Sequence, residues 1–449
     1  MDAPRIRDWA GPLDVGGLAA DAVELARAAV ERLARARGSV VEVGTSAPLI
    51  IGAFDSIGHL RIDGRPAEGW APLSGFVEAA DGWVRLHGNF PHHSQAIRTS
   101  LQVAGPEHLA RAVATLPAAE VEERVAAAGG IATVVRTPEQ WQAHPHHLAT
   151  AQDPWHRTVE GEIRPELGQA TRGPLTGVKV LDLTRVIAGP VCSELLACLG
   201  ADVLRIDPPH RPELLDHYLA HGMGKRSVEL DLAAHQELLQ ESLLPEAAVV
   251  LLGYRPTSLT TLGLDPEALA ERHPHLVVGS LSAWGEHGPW GQRAGFDSIV
   301  QAATGIGTVY GRADGRPGAL PVQALDHSSG FVLAAGVLDL LATERAGCVH
   351  VSLLGAAREL LDRGAREHSS AAGGDASMVS DLPGDRAGTG SGADTTTVDL
   401  DTPHGPVRTV PVPITLDGRP LAAPISGYAA ADARWLSPNS GAQPRPVGG

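Results

Sequence analysis

Residues 178–207 constrain the fold more than any other stretch of this chain. Val-Lys-Val-Leu-Asp-Leu (178–183) is a short apolar run of the kind that lies buried on both faces of a sheet. A loop carrying Ala188, Gly189 and Pro190 follows, then a helical stretch through 194–199 that Gly200 ends, then a second apolar run at 202–206. Strand, helix and strand at this spacing imply parallel pairing with a right-handed crossover. Further strands are expected at 248–252 and 276–281. A core helix over 331–341, too short to span a bilayer, leads to another strand at 349–353. The fold class is therefore α/β, a doubly wound (Rossmann-like) parallel sheet domain with a smaller α+β domain.

The smaller domain is expected ahead of the sheet domain. Apolar residues at helical spacing over 16–37 predict an amphipathic helix, and the β-branched run at 39–43 predicts a strand. Asp81-Gly82 between apolar runs predicts a hairpin (76–80, then 83–86), and further helices are expected at 120–128 and from Thr137-Pro138. The expected organisation is a smaller α+β module over 1–170, the sheet domain over 174–360, a flexible low-complexity linker over 361–397 and an extended edge-lying tail over 398–449.

Composition excludes several classes. A net charge of −16 over 449 residues repels nucleic acid. The same field repels any polyanionic ligand, so such a site needs local cations, for which Lys225, Arg226 and Arg255 are candidates. No basic-then-apolar leader opens the sequence and no apolar run reaches the roughly 20 residues of a membrane span, so no membrane partner and a cytoplasmic location are expected. Cys192, Cys198 and Cys348 lack C-x-x-C spacing and suit buried free thiols. His92-His93 and His144, His146 and His147 come without accompanying acid or Cys patterns. They are read as loop histidines, and no metal is expected.

The strand–helix–strand unit invites a dinucleotide reading, with Asp207 at the end of the second strand as a ribose ligand. The glycines argue against it. A dinucleotide turn needs G-x-G-x-x-G so that backbone can approach a pyrophosphate, and here Gly189 stands alone before Pro190.

A longer ordered series carries more. It runs Gly-Val-Lys-Val-Leu-Asp-Leu-Thr-Arg-Val-Ile-Ala-Gly-Pro (177–190), Leu-Gly-Ala-Asp-Val-Leu-Arg-Ile-Asp-Pro-Pro (199–209), Gly-Lys-Arg-Ser-Val-Glu-Leu-Asp-Leu (224–232) and Tyr254-Arg255-Pro256. Leu-Gly-Leu (262–264), Gly-Ser-Leu-Ser-Ala-Trp-Gly (279–285), Gly295-Phe296-Asp297 and Ala-Leu-Asp-His-Ser-Ser-Gly (324–330) complete it. This stretch resembles the class III CoA-transferases, the family of formyl-CoA and carnitine-CoA transferases that also holds the α-methylacyl-CoA racemases. Asp81-Gly82-Trp83-Val84, Gly88-Asn89, the 128–137 segment and His144-Pro145 resemble the family's second, smaller domain, which ordinarily follows the large one. The chain thus looks like a rearranged or partly duplicated member.

The resemblance implies transfer of CoA between an acyl-CoA thioester and a carboxylic acid through an aspartyl mixed-anhydride/thioester intermediate, with Asp326 as the nucleophile and Asp297 in support. It implies no tightly bound cofactor, CoA thioester as substrate, and a homodimer. It suggests Ala188, Gly189 and Pro190 as the first CoA-binding loop, Lys225 and Arg226 near phosphates, and Tyr254 with Arg255 against adenine. Taken alone, Asp326 before Ser328-Ser329 and Asp297 before an apolar run are also ordinary helix caps. Two alternatives stand beside this reading. Racemase-like α-proton chemistry is disfavoured because Phe296 occupies the racemase histidine position and cannot titrate. A catalytically silent CoA-binding or assembly subunit is suggested by Thr261, where the family commonly has arginine, and by the shortened C-terminal region.

Overall fold

The computed structural model describes Ile6, residues 9–364 and residues 395–437. Seven strands form its large sheet, in the order Lys225–Glu229, Asp202–Asp207, Lys179–Leu183, Val249–Leu252, Val277–Ser282, Arg345–Ser352 and His156–Ile163. The first six are parallel and the seventh is antiparallel. Chain order reverses between Lys179–Leu183 and Val249–Leu252, winding outward in both directions from there. Such a switch point opens a crevice at the carboxyl ends of the two strands, the usual ligand position in doubly wound sheets.

Both faces of the sheet are covered, which is why its strands read as continuous apolar runs rather than alternating ones. One face packs against helix Ala324–Ala342, which lies between helices Val15–Ala36 and Ala188–Cys198. The other carries Leu239, Leu243, Leu259 and Leu269 from the helical segments that follow Lys225–Glu229 and Val249–Leu252. Helix Ala324–Ala342 has 19 residues, longer than the 331–341 expectation because it begins on the polar Asp-His-Ser-Ser turn. It is long and apolar enough to cross a bilayer, and it is nearly all buried inside the fold.

The N-terminal region divides in a way its sequence does not announce. Strands Gly75–Ala79, Gly82–Leu86 and Ala132–Val134 make an antiparallel sheet under helices Pro91–Leu101, Pro106–Val113 and Ala118–Ala127, with a separate apolar core. The hairpin loop is Ala80-Asp81 rather than Asp81-Gly82, because Ala79 pairs with Gly82. The Asp81 carboxylate instead accepts the Ala118 N–H at 2.7 Å and ties down the start of helix Ala118–Ala127. Helix Val15–Ala36 belongs to the large core, and His156–Ile163 is the seventh strand of the large sheet. The 1–170 span is therefore not one module: its middle forms the small unit and its two ends complete the large domain.

At the other end, residues 361 and 362 finish helix Leu353–Asp362, and 365–394 of the expected linker lie outside the described residues. Beyond them the expected extended tail forms two hairpins over 398–421. Gly405–Thr409 pairs inward with Arg61–Ile62, and Val412–Leu416 lies between Val43–Gly44 and Arg419–Leu421. Pro413 is tolerated because the register shifts between 412 and 415, where its missing N–H leaves no gap in the ladder.

Candidate active site

Asp326 lies in the first turn of helix Ala324–Ala342, where an anion is favoured by the helix N-terminus. It is not the cap of that helix; Gln323 occupies that position. The residue is 6% exposed, and no donor among the described residues bonds its carboxylate. The cap comes from another element. Asp297, first residue of helix Asp297–Thr304 and 1% exposed, accepts the backbone N–H of Leu325 at 2.9 Å and of Asp326 at 3.1 Å through Oδ2. Gln301 Nε2 donates to its Oδ1, and Gln301 Oε1 accepts Leu320 N at 2.9 Å. The supporting aspartate thus fixes the backbone that presents the other.

Two buried carboxyls this close cannot both ionise freely. Burial, then the charge of Asp297, push the Asp326 carboxyl well above the ordinary carboxylate range. Burial also raises Asp297, to about 6, against the pull of Gln301, the Asp326 and Leu325 N–H groups and the charge of Arg85. A carboxylate with raised proton affinity and no hydrogen bond to blunt it is a stronger nucleophile once ionised.

One helical turn beyond Asp326, Gly330 lies against the 188–190 turn. A Cβ at Gly330 would stand 2.4 Å from Ala188 O, so glycine is required for the approach of the two helices. Ala188, Gly189 and Pro190 open helix Ala188–Cys198 and are buried, leaving backbone N–H groups of a helix N-terminus rather than side chains to meet a ligand. Gly189 is equally constrained, since a Cβ there would meet the Thr184 Cβ at 2.2 Å.

Lys225 and Arg226, expected near phosphates, are both engaged by protein partners. Lys225 is fully buried, donating to Pro190 O at 2.8 Å and standing 3.6 Å from Asp182 Oδ2. Asp182 also accepts Thr184 N at 3.0 Å and Ser193 Oγ at 2.5 Å, so the pair braces the 184–193 turn from beneath. Arg226 is engaged by Asp202 at 2.7 Å and by Arg434 O at 2.9 Å. Both lie at the amino end of the edge strand Lys225–Glu229, away from the carboxyl ends of the sheet. Tyr254 donates to Ile206 O at 3.2 Å across the strand ends, and Arg255 beside it is exposed. Asp207, the dinucleotide candidate, is buried in a bidentate pair with Arg205 and has no free oxygen for a ribose.

Of the three cation candidates, Arg255 lies with two arginines that the sequence did not single out. Arg185, Arg211 and Arg255 converge on His92, whose proton affinity is lowered first by burial and then by those three charges. Arg185 lies over the Phe90 ring at 4.7 Å and donates to Pro212 O at 2.6 Å. Val186 next to it holds φ +71°, a strained conformation for a β-branched residue. Its N–H is caught by Glu213 Oε2 at 2.8 Å, and Glu213 is itself held by Arg205 at 2.8 Å.

The small unit contributes a wall that sequence reasoning missed. Arg85 is buried between the Trp70 and Phe76 rings, 4.7 Å from each, and close enough to Asp297 to act on its charge. His87 stacks on Phe296 with ring centroids 3.9 Å apart, and His93 is buried near both. His92 and His93 open helix Pro91–Leu101 rather than lying in a loop. The order of the motifs gave no hint of these partners, because they lie some two hundred residues before Asp297.

Residues 175–387 match the sequence profile of CoA-transferase family III. A probable fatty acyl-CoA transferase of Mycobacterium tuberculosis is 38% identical over 193 residues, covering 40% of this chain and 49% of that protein. A succinate–glutarate CoA-transferase of Agrobacterium fabrum is 31% identical, covering 36% of this chain and 46% of its own. A formyl-CoA:oxalate CoA-transferase of Escherichia coli is also 31% identical, covering 39% and 45%. A crystal structure of the mycobacterial protein aligns with a TM-score of 0.40 at 36% identity, covering 43% of this chain and 57% of that one. The chain spans about half the length of these relatives.

Proposed function

We propose, from the match of residues 175–387 to the CoA-transferase family III profile, that this protein moves CoA from an acyl-CoA thioester to a carboxylic acid, with Asp326 as the covalent nucleophile. The observation that carries the reading is the Asp326 carboxylate itself: buried, unbonded, and held on a backbone that Asp297 caps, beside the 188–190 turn at the switch point. An Asp326 oxygen attacks the thioester carbonyl, the C–S bond breaks, and CoA leaves as thiolate with the acyl group on the aspartyl oxygen. The thiolate then attacks the aspartyl carbonyl, releasing the first acid and leaving an aspartyl thioester. Attack by the acceptor carboxylate reverses the sequence and yields the new acyl-CoA. Every step exchanges one acyl bond for another, so no redox partner enters.

The arginines 185, 211 and 255 offset the chain's negative field where the CoA phosphates approach, with Tyr254 closing the crevice between strand ends. The small unit shields the carboxyls from water through Arg85 and through His87 stacked on Phe296. The same reading takes the protein as a cytoplasmic homodimer without tightly bound cofactor.

Incubation with acyl-CoA and hydroxylamine is expected to leave a hydroxamate on Asp326, found by peptide mass mapping. Asp326→Ala is expected to lose transfer by at least about a thousandfold, as for other covalent nucleophiles. Run in D2O, the reaction is expected to leave the acyl α-carbon unlabelled, because Phe296 supplies no proton-transfer partner. Undiminished transfer in Asp326→Ala sinks the assignment, and α-deuteration by the wild type transfers it to α-proton chemistry.

A further inference from the structure

On the far side of the sheet from Asp326, three potential metal ligands meet without any part in the reaction described above. Glu267 comes from the first turn of helix Pro266–Arg272, Glu286 from the loop after strand Val277–Ser282, and His350 from strand Arg345–Ser352. Their ligand atoms lie within 4.8 Å of one another. His350 is 5% exposed; its Nδ1 pairs with Glu286 Oε1 at 2.8 Å. Its buried Nε2 has no hydrogen-bond partner among the described residues and faces Glu267 Oε1 at 3.9 Å. A buried imidazole with a carboxylate on each side and one nitrogen unsatisfied is the donor set of a cation site.

We propose that Glu267, Glu286 and His350 bind a divalent zinc-type cation. Imidazole with carboxylate favours zinc or cobalt over calcium and magnesium, which take oxygen alone. Ligands at zinc bond lengths stand roughly 3.3–3.5 Å apart in a tetrahedron, so the group closes modestly on binding. Glu267, with its side chain 63% exposed, has the room to make that movement. Arg157 holds the other Glu286 oxygen at 2.8 Å, which orients the carboxylate toward His350 and leaves one oxygen for the metal. The bound ion joins a helix, a loop and a strand, and through Arg157 the antiparallel edge strand, so its role is to fasten this edge of the sheet.

Full-length protein stripped with EDTA and titrated with Zn2+ by calorimetry is expected to take up one equivalent and to unfold at a higher temperature when loaded. Glu267→Gln alters an exposed side chain, so it is expected to fold with an unchanged metal-free unfolding temperature and to bind at least tenfold more weakly. His350→Gln is expected to lose the site. Absence of saturable uptake overturns the proposal. So does equally tight uptake by both variants, which would place the metal on other histidines such as His92 and His93.

Discussion

The two aspartates make the site's chemistry visible as a stability effect. An unfolded-chain aspartate titrates near ~3.9, whereas burial places Asp297 at about 6 and Asp326 higher than its ordinary range. Their protonated forms therefore favour the folded state below about pH 4, and that contribution is lost as pH rises through about 6 and beyond. Asp326→Asn cannot ionise and keeps the contribution at all pH values. Its unfolding temperature is expected to exceed the wild type's by about 2–4 °C for each kcal/mol retained at pH 8, and to match the wild type's at pH 4. The same difference at both pH values would show that the Asp326 carboxyl is not perturbed by its surroundings. In the wild type the same ionisation is what activates the nucleophile, so transfer is expected to rise over the interval in which stability falls. Asp326 and Asp297 were legible in the sequence because each sits in a short motif whose order is distinctive. The burial of Lys225 against Pro190 and Asp182 was not legible, because a motif gives residue type and order, while burial depends on which end of the strand the lysine occupies.

At the scale of elements, the turn joining strand Lys179–Leu183 to helix Ala188–Cys198 carries the most local strain. Val186 at φ +71° costs on the order of 1–3 kcal/mol. The compensation is its N–H bond to Glu213, whose carboxyl is buried yet held down at about 2 by Arg205 and Arg185. Val186→Gly removes that strain, since glycine adopts positive φ without a Cβ clash. The variant is expected to keep the wild-type unfolding temperature or exceed it, although Val→Gly elsewhere costs about 1 kcal/mol or more. Its KM for acyl-CoA is expected to rise, because the turn beside the Ala188 and Gly189 N–H groups becomes free to move. A clear fall in unfolding temperature with KM unchanged would mean that the side chain matters there for packing alone. The strand–helix–strand unit around this turn was legible because apolar runs, Gly200 and spacing all agreed. The strain at 186 was not, because nothing in Thr-Arg-Val-Ile indicates a left-handed residue; it is imposed by Glu213, some 27 positions later.

At the scale of the whole molecule, distant segments complete each other. Strands Val43–Gly44 and Arg61–Ile62 find their partners in 405–416, and past that point Ile425 bridges to Met223, just before the edge strand of the large sheet. Along the Lys225–Glu229 edge Pro424 O accepts Gly224 N at 2.9 Å, Tyr428 Oη accepts Glu213 N at 2.8 Å, and Trp435 Nε1 donates to Leu243 O at 3.2 Å. Period-two patterning showed that 407–414 had strand character, but it cannot name a partner more than three hundred residues away, so the segment was read as a loose edge. Of the small unit's helices only Ala118–Ala127 was legible, because its stop at Gly129-Gly130 is local, whereas Pro91–Leu101 and Pro106–Val113 carried no such signal. The pairing makes the last described residues structural. Leu400, Val407, Val412, Ile414 and Ile425 are all buried in the large core. At about 1.5–3 kcal/mol for each such side chain, their burial is worth about 7–15 kcal/mol, as much as the whole net stability of an ordinary domain, about 5–15 kcal/mol. A chain ended after residue 397 is therefore expected to fail to fold cooperatively rather than to lose a few degrees, although it keeps Asp326, Asp297 and the entire parallel sheet. Thermal unfolding followed by circular dichroism, with light scattering for aggregation, decides it. A soluble truncated chain with a sharp transition near the wild type's would mean that the two hairpins decorate a domain that is complete without them.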